Sequence, residues 1–475
     1  MDNSTIAAIA TPGGRGGIGI IKISGPRAVQ IAAVIFSPVE QQSTSNPGNL
    51  SSPQSAARTG FDSHRLNYGH IIDPDTGRLV DEVLLSVMKA PRSYTREDVV
   101  EINAHGGPVA VNAILGLVCK NGARIAEPGE FTQRAFLNGR IDLTQAEAVI
   151  DIINARSDKS LQLAAAQVDG RLKGSVEQIR EFLIDLLTRA EAAIDFPDEA
   201  EEIAEPAGAA DEVEARVVKP LQALIRHHVD GRALREGLKV AVTGRPNVGK
   251  SSLLNCLVQK ERAIVTAVPG TTRDMIEEVL NIDGYPVILT DTAGLHDTDD
   301  PIETLGIEKT IENVNGADLV LFMIEANGPL TAEDRSVFEK IHAKPMIIVM
   351  NKIDLIDGDD ICKLPATWGV IDCVHTSALY DRGIDHLKDR IVEKAFGKEP
   401  LDLEAVIVPN LRQKLLMEDS LAAAAATCRG LNDGTPMELV AIHLQEAVDL
   451  LGQILGTNVK VDLLDQIFSR FCIGK

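Results

Sequence analysis

Aromatic side chains are scarce in this chain, at 3% of its 475 residues, with Trp368 the single tryptophan. So thin a supply argues against a surface built for stacking nucleobases. Basic charge is short too: 47 Lys and Arg stand against 69 Asp and Glu, a formal net charge of −22. That excludes a general polyanion binder, and any nucleic-acid contact must use a local basic patch. The six cysteines, Cys119, Cys256, Cys362, Cys373, Cys428 and Cys472, include no C-x-x-C pair. Neither a zinc site nor a disulfide framework is suggested, and a reducing cytosol fits. The ten histidines include no H-E-x-x-H. No apolar run approaches a membrane span and no charged-plus-apolar leader opens the chain, so a cytoplasmic protein with no membrane partner is expected. What is plentiful is apolar content, 44%, enough for sizeable cores in about three domains.

The texture changes along the chain. Residues 1–122 read as α+β, with strand-like runs at Ile18–Ile23 and Val83–Met88 and a polar loop over Glu40–Gly60. Residues 123–236 read as helical. Thr144-Gln-Ala-Glu147 has the pattern of a capping box, and Leu161–Ile194 and Leu221–Leu234 carry apolar residues at helical spacing. An acidic turn, Pro197 to Glu202, separates the last two. Residues 237–397 alternate strand and helix, with apolar strands at Val287–Thr290, Leu319–Ile324 and Met346–Met350, the doubly wound α/β pattern. Residues 398–475 are helical again, and Thr435-Pro-Met-Glu438 reads as another capping box. The expected architecture is multidomain: an α/β domain inserted into an all-helical domain, preceded by an α+β domain.

Gly244-Arg-Pro-Asn-Val-Gly-Lys-Ser251 is a complete phosphate-binding loop, G-x-x-x-x-G-K-[ST]. A β-branched run, Lys239 to Thr243, precedes it and a helix-compatible run from Ser252 follows. At such a strand-to-helix turn, backbone N–H groups and the helix N-terminus face a phosphate, Lys250 reaches its β/γ oxygens and Ser251 binds Mg²⁺. Four motifs follow in the order a GTPase needs. Gly270-Thr-Thr-Arg-Asp274 offers Thr272 to Mg²⁺ and the γ-phosphate. Asp291-Thr-Ala-Gly294 offers Asp291 to the Mg²⁺ shell and the Gly294 N–H to the γ-phosphate. In Asn351-Lys-Ile-Asp354, the Asp354 carboxylate can accept from guanine N1–H and N2–H₂, an edge adenine lacks. Ser377-Ala-Leu379 can bring a backbone N–H to guanine O6. The nucleotide set is therefore Asn247, Val248, Gly249, Lys250, Ser251 and Ser252; Thr266, Ala267, Val268, Pro269, Gly270, Thr271 and Thr272; Asp291, Thr292, Ala293 and Gly294; Asn351, Lys352, Ile353 and Asp354; and Ser377, Ala378 and Leu379.

Several residues admit two readings. Leu295 stands where signalling GTPases carry a water-positioning Gln, so hydrolysis needs another group. Glu303 is the candidate, although Asp300-Pro-Ile-Glu303 also reads as a helix start with Glu303 as cap partner. Asn247 is either a turn residue or a carbonyl-oxygen ligand for a monovalent cation beside the phosphates. Cys472 is either a packed small side chain or a reactive thiol. His105 reads as structural or as a binding contact. Gly14-Arg-Gly-Gly-Ile-Gly19 matches G-x-G-x-x-G, but a strand follows where a dinucleotide fingerprint needs a helix, so NAD and FAD are not expected on this chain.

With Thr11 to Ile20, Ser93-Tyr-Thr-Arg-Glu-Asp98, His105-Gly-Gly107, Pro128 to Arg140 and the ending Phe471-Cys-Ile-Gly-Lys475, the whole chain closely resembles the tRNA modification GTPase MnmE (TrmE) family of TrmE-Era-EngA-like GTPases. The resemblance implies an N-terminal domain that binds a tetrahydrofolate derivative (5-formyl- or 5,10-methylene-) and forms a homodimer, and G domains that pair in the GTP state when K⁺ is present. It also implies a flavoprotein partner, MnmG (GidA), with which a carboxymethylaminomethyl-type group is installed at C5 of the tRNA wobble uridine, U34. Carried over by motif, K⁺ would take Asn247, Thr266, Val268 and Thr271. Mg²⁺ would take Ser251 and Thr272, and Glu303 would orient water. The folate site would use Lys22, Glu101, Arg140 and Lys475. Lys22 stands where relatives often carry Arg, Ala267 where they often carry Asp, and Pro269 where some carry Ala. The alternative is a ribosome-assembly or RNA-binding regulatory GTPase, which shares the G-domain motifs but needs neither the front domain nor the Cys-Ile-Gly-Lys ending.

Overall fold

The computed structural model describes residues 4–39, 60–196, 208–261, 278–289, 314–356, 362–397 and 407–475. They group into two units: the residues up to Glu147 together with Leu455–Lys475, and those from Ala148 to Ile454.

The first unit is built on seven strands: β1 (Ile6–Ile9), β2 (Ile18–Ser24), β3 (Phe36–Pro38), β4 (Leu66–Ile72), β5 (Leu79–Met88), β6 (Val99–His105) and β7 (Arg124–Ile125). Their order is β3-β4-β5-β6-β2-β1-β7, antiparallel throughout except where β7 joins β1. Successive side chains on a strand face opposite ways. Ala7, Ile21, Ile23, Val100 and Ile102 form one core with residues of the helices Ala28–Ile35 and Pro108–Lys120. The other face carries Ile6 and Ala8, packed with Ala126 and Phe131. Lys22 and Glu101 also fall on that face, directly opposite each other in the β2–β6 register. Since β2 starts at Ile18, a strand does follow Gly14–Gly19.

Residues 123–147 belong with this unit, which moves the boundary expected at 122. The reason is a set of contacts that composition cannot display. β7 pairs with β1, and Phe131 of the helix Glu130–Leu137 is fully buried against the sheet. Arg124 holds Glu130 at 2.6 Å, and Arg134 bridges Glu130 at 3.0 Å and Glu97 at 3.1 Å. The next helix, Leu143–Asn154, is capped two residues earlier than expected. Asp142 Oδ1 accepts from the N–H groups of Thr144 and Gln145, and Gln145 Oε1 accepts from Asp142 N–H. The capping box is Asp142–Gln145, not Thr144–Glu147, because Asp142 already occupies the cap and leaves Thr144 inside the helix.

In the second unit six strands order as β13-β12-β11-β8-β10-β9. They are β8 (Leu238–Thr243), β9 (Glu278–Ile282), β10 (Tyr285–Leu289), β11 (Leu319–Glu325), β12 (Met346–Asn351) and β13 (Asp372–His375). All pairs are parallel except β9–β10, a hairpin closed by Asp283-Gly284, residues that such a two-residue turn favours. β11 and β12 are almost wholly buried apolar runs, as a sheet covered on both faces requires. The helical run expected from Leu161 to Ile194 is two helices, Asp158–Val168 and Arg171–Asp195, divided at Gly170. After the α/β segment the chain returns to the helices before it. His228 Nδ1 and the Pro409 carbonyl lie 2.7 Å apart, Val408 packs over Gly231, and the helix Leu411–Asn432 lies along Lys219–Glu236.

Candidate functional site

β8, β11 and β12 run parallel, so their carboxyl ends open on one edge of the sheet, where ligands of open α/β folds bind. The phosphate-binding loop leaves the end of β8, and the helix Lys250–Glu261 begins within it. Lys250 Nζ donates to the carbonyls of Gly244 at 2.9 Å and Arg245 at 3.0 Å, which keeps the ammonium over the loop. Asn247 sits at φ 66°, a left-handed conformation that Asn tolerates better than most residues, so the turn reading is met by the backbone.

Asn351 ends β12 and is 3% exposed. Its Nδ2 donates to the Val248 carbonyl at 2.9 Å, while its Oδ1 accepts from Ala378 N–H at 3.0 Å and Thr376 Oγ1 at 3.3 Å. One amide thus ties the phosphate loop to the Ser377–Leu379 segment. Gly249 is required beneath it: at φ 99°, an added Cβ would lie 2.3 Å from Asn351 Nδ2. Ser377 Oγ donates to Asp354, orienting the carboxylate expected to read guanine. Since the Ala378 N–H is committed to Asn351, Leu379 is the next residue of that triplet able to serve a base carbonyl.

Sequence reasoning missed Glu325, at the end of β11, which accepts from both Lys352 and Arg245. Burial pushes its carboxyl up, but the Lys352 hydrogen bond and the Arg245 charge outweigh this and hold it below its ordinary value. The available signal was register, since Glu325 lies opposite Asn351.

A second cluster occupies the first unit. Lys22 Nζ is 3.9 Å from Glu101, 4.3 Å from the centre of the Tyr94 ring and 5.2 Å from that of Phe131. The Arg140 guanidinium lies 4.7 Å from the Tyr94 ring centre. The terminal turn reaches the same region: Phe131 N–H donates to the Lys475 carbonyl at 3.2 Å, and Gly474 packs against Ile9 and Ala10. Burial lowers the Lys22 pKa most. Glu101 opposes that shift, and Lys475 and Arg140 add to it. Lys22, Glu101, Arg140 and Lys475, 453 residues apart at the extremes (475 − 22), are therefore one electrostatic neighbourhood. Tyr94 and Phe131 lie inside two motifs already noted, yet neither was assigned a role. Cys472 is exposed at the start of the terminal turn, which argues against the packed reading. His105 lies 2.7 Å from Asp81, whose hydrogen bond raises the imidazole pKa.

Family models now bear on this geometry. That of the GTP-binding protein TrmE N-terminus matches residues 5–140, and that of the MnmE helical domain matches residues 143–472. The chain belongs to the MnmE family. Among relatives, the tRNA modification GTPase MnmE of Geobacillus kaustophilus (strain HTA426) is 44% identical over 475 residues, 99% of both chains. That of Carboxydothermus hydrogenoformans is 42% identical over 476 residues, the full length of both. Among solved structures, the G domain of T. maritima FeoB aligns over 33% of this chain and 98% of its own, at 28% identity and a TM-score of 0.25. The MnmE match and the loops at the carboxyl ends of β8 and β12 agree on a GTP hydrolase.

The described residues hold Asn247–Ser252, Asn351–Asp354 and Ser377–Leu379 of the expected nucleotide set. Thr266–Thr272, Asp291–Gly294, Leu295 and Glu303 lie outside them, as do the loop over 40–59 and the acidic turn after Phe196. Among the described residues no group of three or more His, Cys, Asp or Glu is placed to hold a metal ion. No described helix is long and apolar enough to cross a membrane.

Proposed function

We propose that this chain is a K⁺-stimulated, Mg²⁺-dependent GTPase that drives modification of the tRNA wobble uridine, with a tetrahydrofolate derivative on its first unit and a flavoprotein partner of the MnmG kind. The observation that carries the reading is that Lys22 faces Glu101 across the β2–β6 pair and that Arg140 and Lys475, from other segments, come close enough to act on it. A simple GTP switch has no need of that cluster. The resemblance also implies a homodimer and a cytoplasmic setting.

In the hydrolysis step, water attacks the γ-phosphorus in line. A new O–P bond forms, the bridging P–O bond to the β-phosphate breaks, and GDP, phosphate and a proton leave. Positioning and charge supply most of the rate. Lys250 and the loop N–H groups bind the phosphates, and Mg²⁺ would sit on Ser251 with Thr272. Asn247, with Thr266, Val268 and Thr271, would hold K⁺, whose charge offsets that of the leaving group. Glu303 would orient the water.

The left-handed φ of Asn247 suggests a discriminating variant. Asn247→Gly tolerates that backbone conformation and removes the side chain, the amide oxygen included. In wild type, exchanging K⁺ for Na⁺ is expected to slow turnover at least about tenfold, or about 1.4 kcal/mol of barrier. Asn247→Gly should turn over equally slowly in both salts while still binding GTP. Equal wild-type rates in both would remove the cation from the mechanism. Nucleoside analysis of tRNA from a deletion strain tests the wider reading, since unmodified U34 is expected, and unchanged wobble uridines would favour the ribosome-assembly alternative.

Lys22 gives a pH test. Its lowered pKa means that its charge is lost at a lower pH than that of a free lysine. Affinity for an anionic folate should therefore begin to fall below pH 10.5, the ordinary lysine value. Lys22→Arg should hold its affinity through the same range, because arginine stays charged. Stability runs the opposite way: between the folded pKa and 10.5 the unfolded chain binds more protons, so the penalty of burying this charge fades as pH rises. Identical pH profiles for both proteins would show that Lys22 does not face the ligand.

A further inference from the structure

Beside Tyr94 and Arg140 the surface of the first unit opens into a depression of about 470 Å³. Arg92, Arg96 and Arg140 line it with His64 and Tyr94, and no carboxylate is among its lining residues. Such a wall runs against a chain of net charge −22. None of the three arginines forms an ion pair among the described residues, so their charge is left for something outside the fold.

The wall is also held in place. His64 and Arg96 adopt φ values of 63° and 59°, left-handed conformations uncommon for residues other than glycine and often kept at binding sites. His64 N–H donates to the Val87 carbonyl at 2.7 Å, and Arg96 Nη1 donates to the Asn138 carbonyl at 3.0 Å. Arg140 joins this depression to the Lys22 cluster, because it both lies over Tyr94 and acts on Lys22.

A ligand that bridges the two must be compact and ring-bearing at one end and polyanionic at the other. We infer that the arginine-lined depression receives the γ-glutamyl tail of the folate, so that this site selects polyglutamylated over monoglutamyl forms. The inference rests on the tetrahydrofolate reading above. Each added γ-linked glutamate brings one more carboxylate, and a guanidinium matches a carboxylate with two parallel hydrogen bonds. At an exposed wall each such pair is modest and screened by salt.

The test is a binding series on the full chain, using 5-formyltetrahydrofolate carrying one, three or five glutamates at low and at high salt. The triglutamate should bind roughly tenfold more tightly than the monoglutamate at low salt, with the advantage shrinking at high salt. Arg92→Gln should lose that advantage and keep the wild-type affinity for the monoglutamate. Arg92 is exposed, so folding is not at stake, and the wild-type series needs no variant. Equal affinity for all three lengths would overturn the tail subsite and leave the folate reading standing. Binding of none would bring down both. Weakened tRNA binding in Arg92→Gln without any length preference would assign the wall to nucleic acid and overturn the proposal.

Discussion

Asn351→Ala should lower GTP affinity by about a hundredfold or more. The change removes a donor to the Val248 carbonyl and an acceptor for the Ala378 N–H from a residue that is 3% exposed. Each abandoned partner costs about 1–3 kcal/mol when it stays buried, and about 1.4 kcal/mol is a tenfold change in binding. The loss should fall on affinity, because what disappears is the tie between the loop that binds phosphate and the segment that meets the base. Titration with a fluorescent guanine nucleotide measures it directly. Affinity within about threefold of wild type, or roughly 0.6 kcal/mol, would mean that the loops hold their places without the amide.

The second large effect is expected far from the nucleotide. Gly474 has φ 93°, and a Cβ there would lie 2.6 Å from the Ile9 carbonyl oxygen and 2.9 Å from Ala10 Cα. Backbone on the other side cannot yield as a side-chain tip could, so Gly474→Ala must displace the terminal turn and carry Lys475 away from Lys22. Tetrahydrofolate affinity should fall at least about tenfold, or about 1.4 kcal/mol, while GTP affinity stays at the wild-type level. Lys475→Ala separates charge from shape, since it leaves the turn in place, lowers folate affinity and moves the Lys22 pKa upward. Normal folate binding by Gly474→Ala would show that the docked turn plays no part in the site.

The two sites differ in how far the sequence discloses them. The nucleotide motifs are local: a few adjacent residues at a strand end, each with a spacing fixed by its own chemistry. Gly244–Ser251, Asn351–Asp354 and Ser377–Leu379 could therefore be read directly, and the apolar strands before the first two supplied their context. The basic cluster is not local. Lys22 meets Glu101 only through the β2–β6 register, and Arg140 and Lys475 arrive from other elements. No spacing rule joins residues so far apart, and they were picked out by family resemblance alone. Tyr94 and Phe131 escaped because an aromatic inside a motif reads equally well as core. The boundary expected at 122 failed for a related reason: the two-residue strand β7 and the Arg124–Glu130–Arg134–Glu97 chain leave no mark on composition. The hairpin strand β9 went unseen because Glu278 to Ile282 mixes polar and apolar residues at an edge.

The union of Leu455–Lys475 with the N-terminal sheet also has a consequence in time. A ribosome makes the β2–β6 face early, yet the segment that brings Lys475 to it is synthesised after the other three members. A nascent chain could fold its first sheet and close its nucleotide loop while the basic cluster still lacked a member. Completion of that cluster would then wait on the last made of its four members, after the helices that lie between them in the sequence.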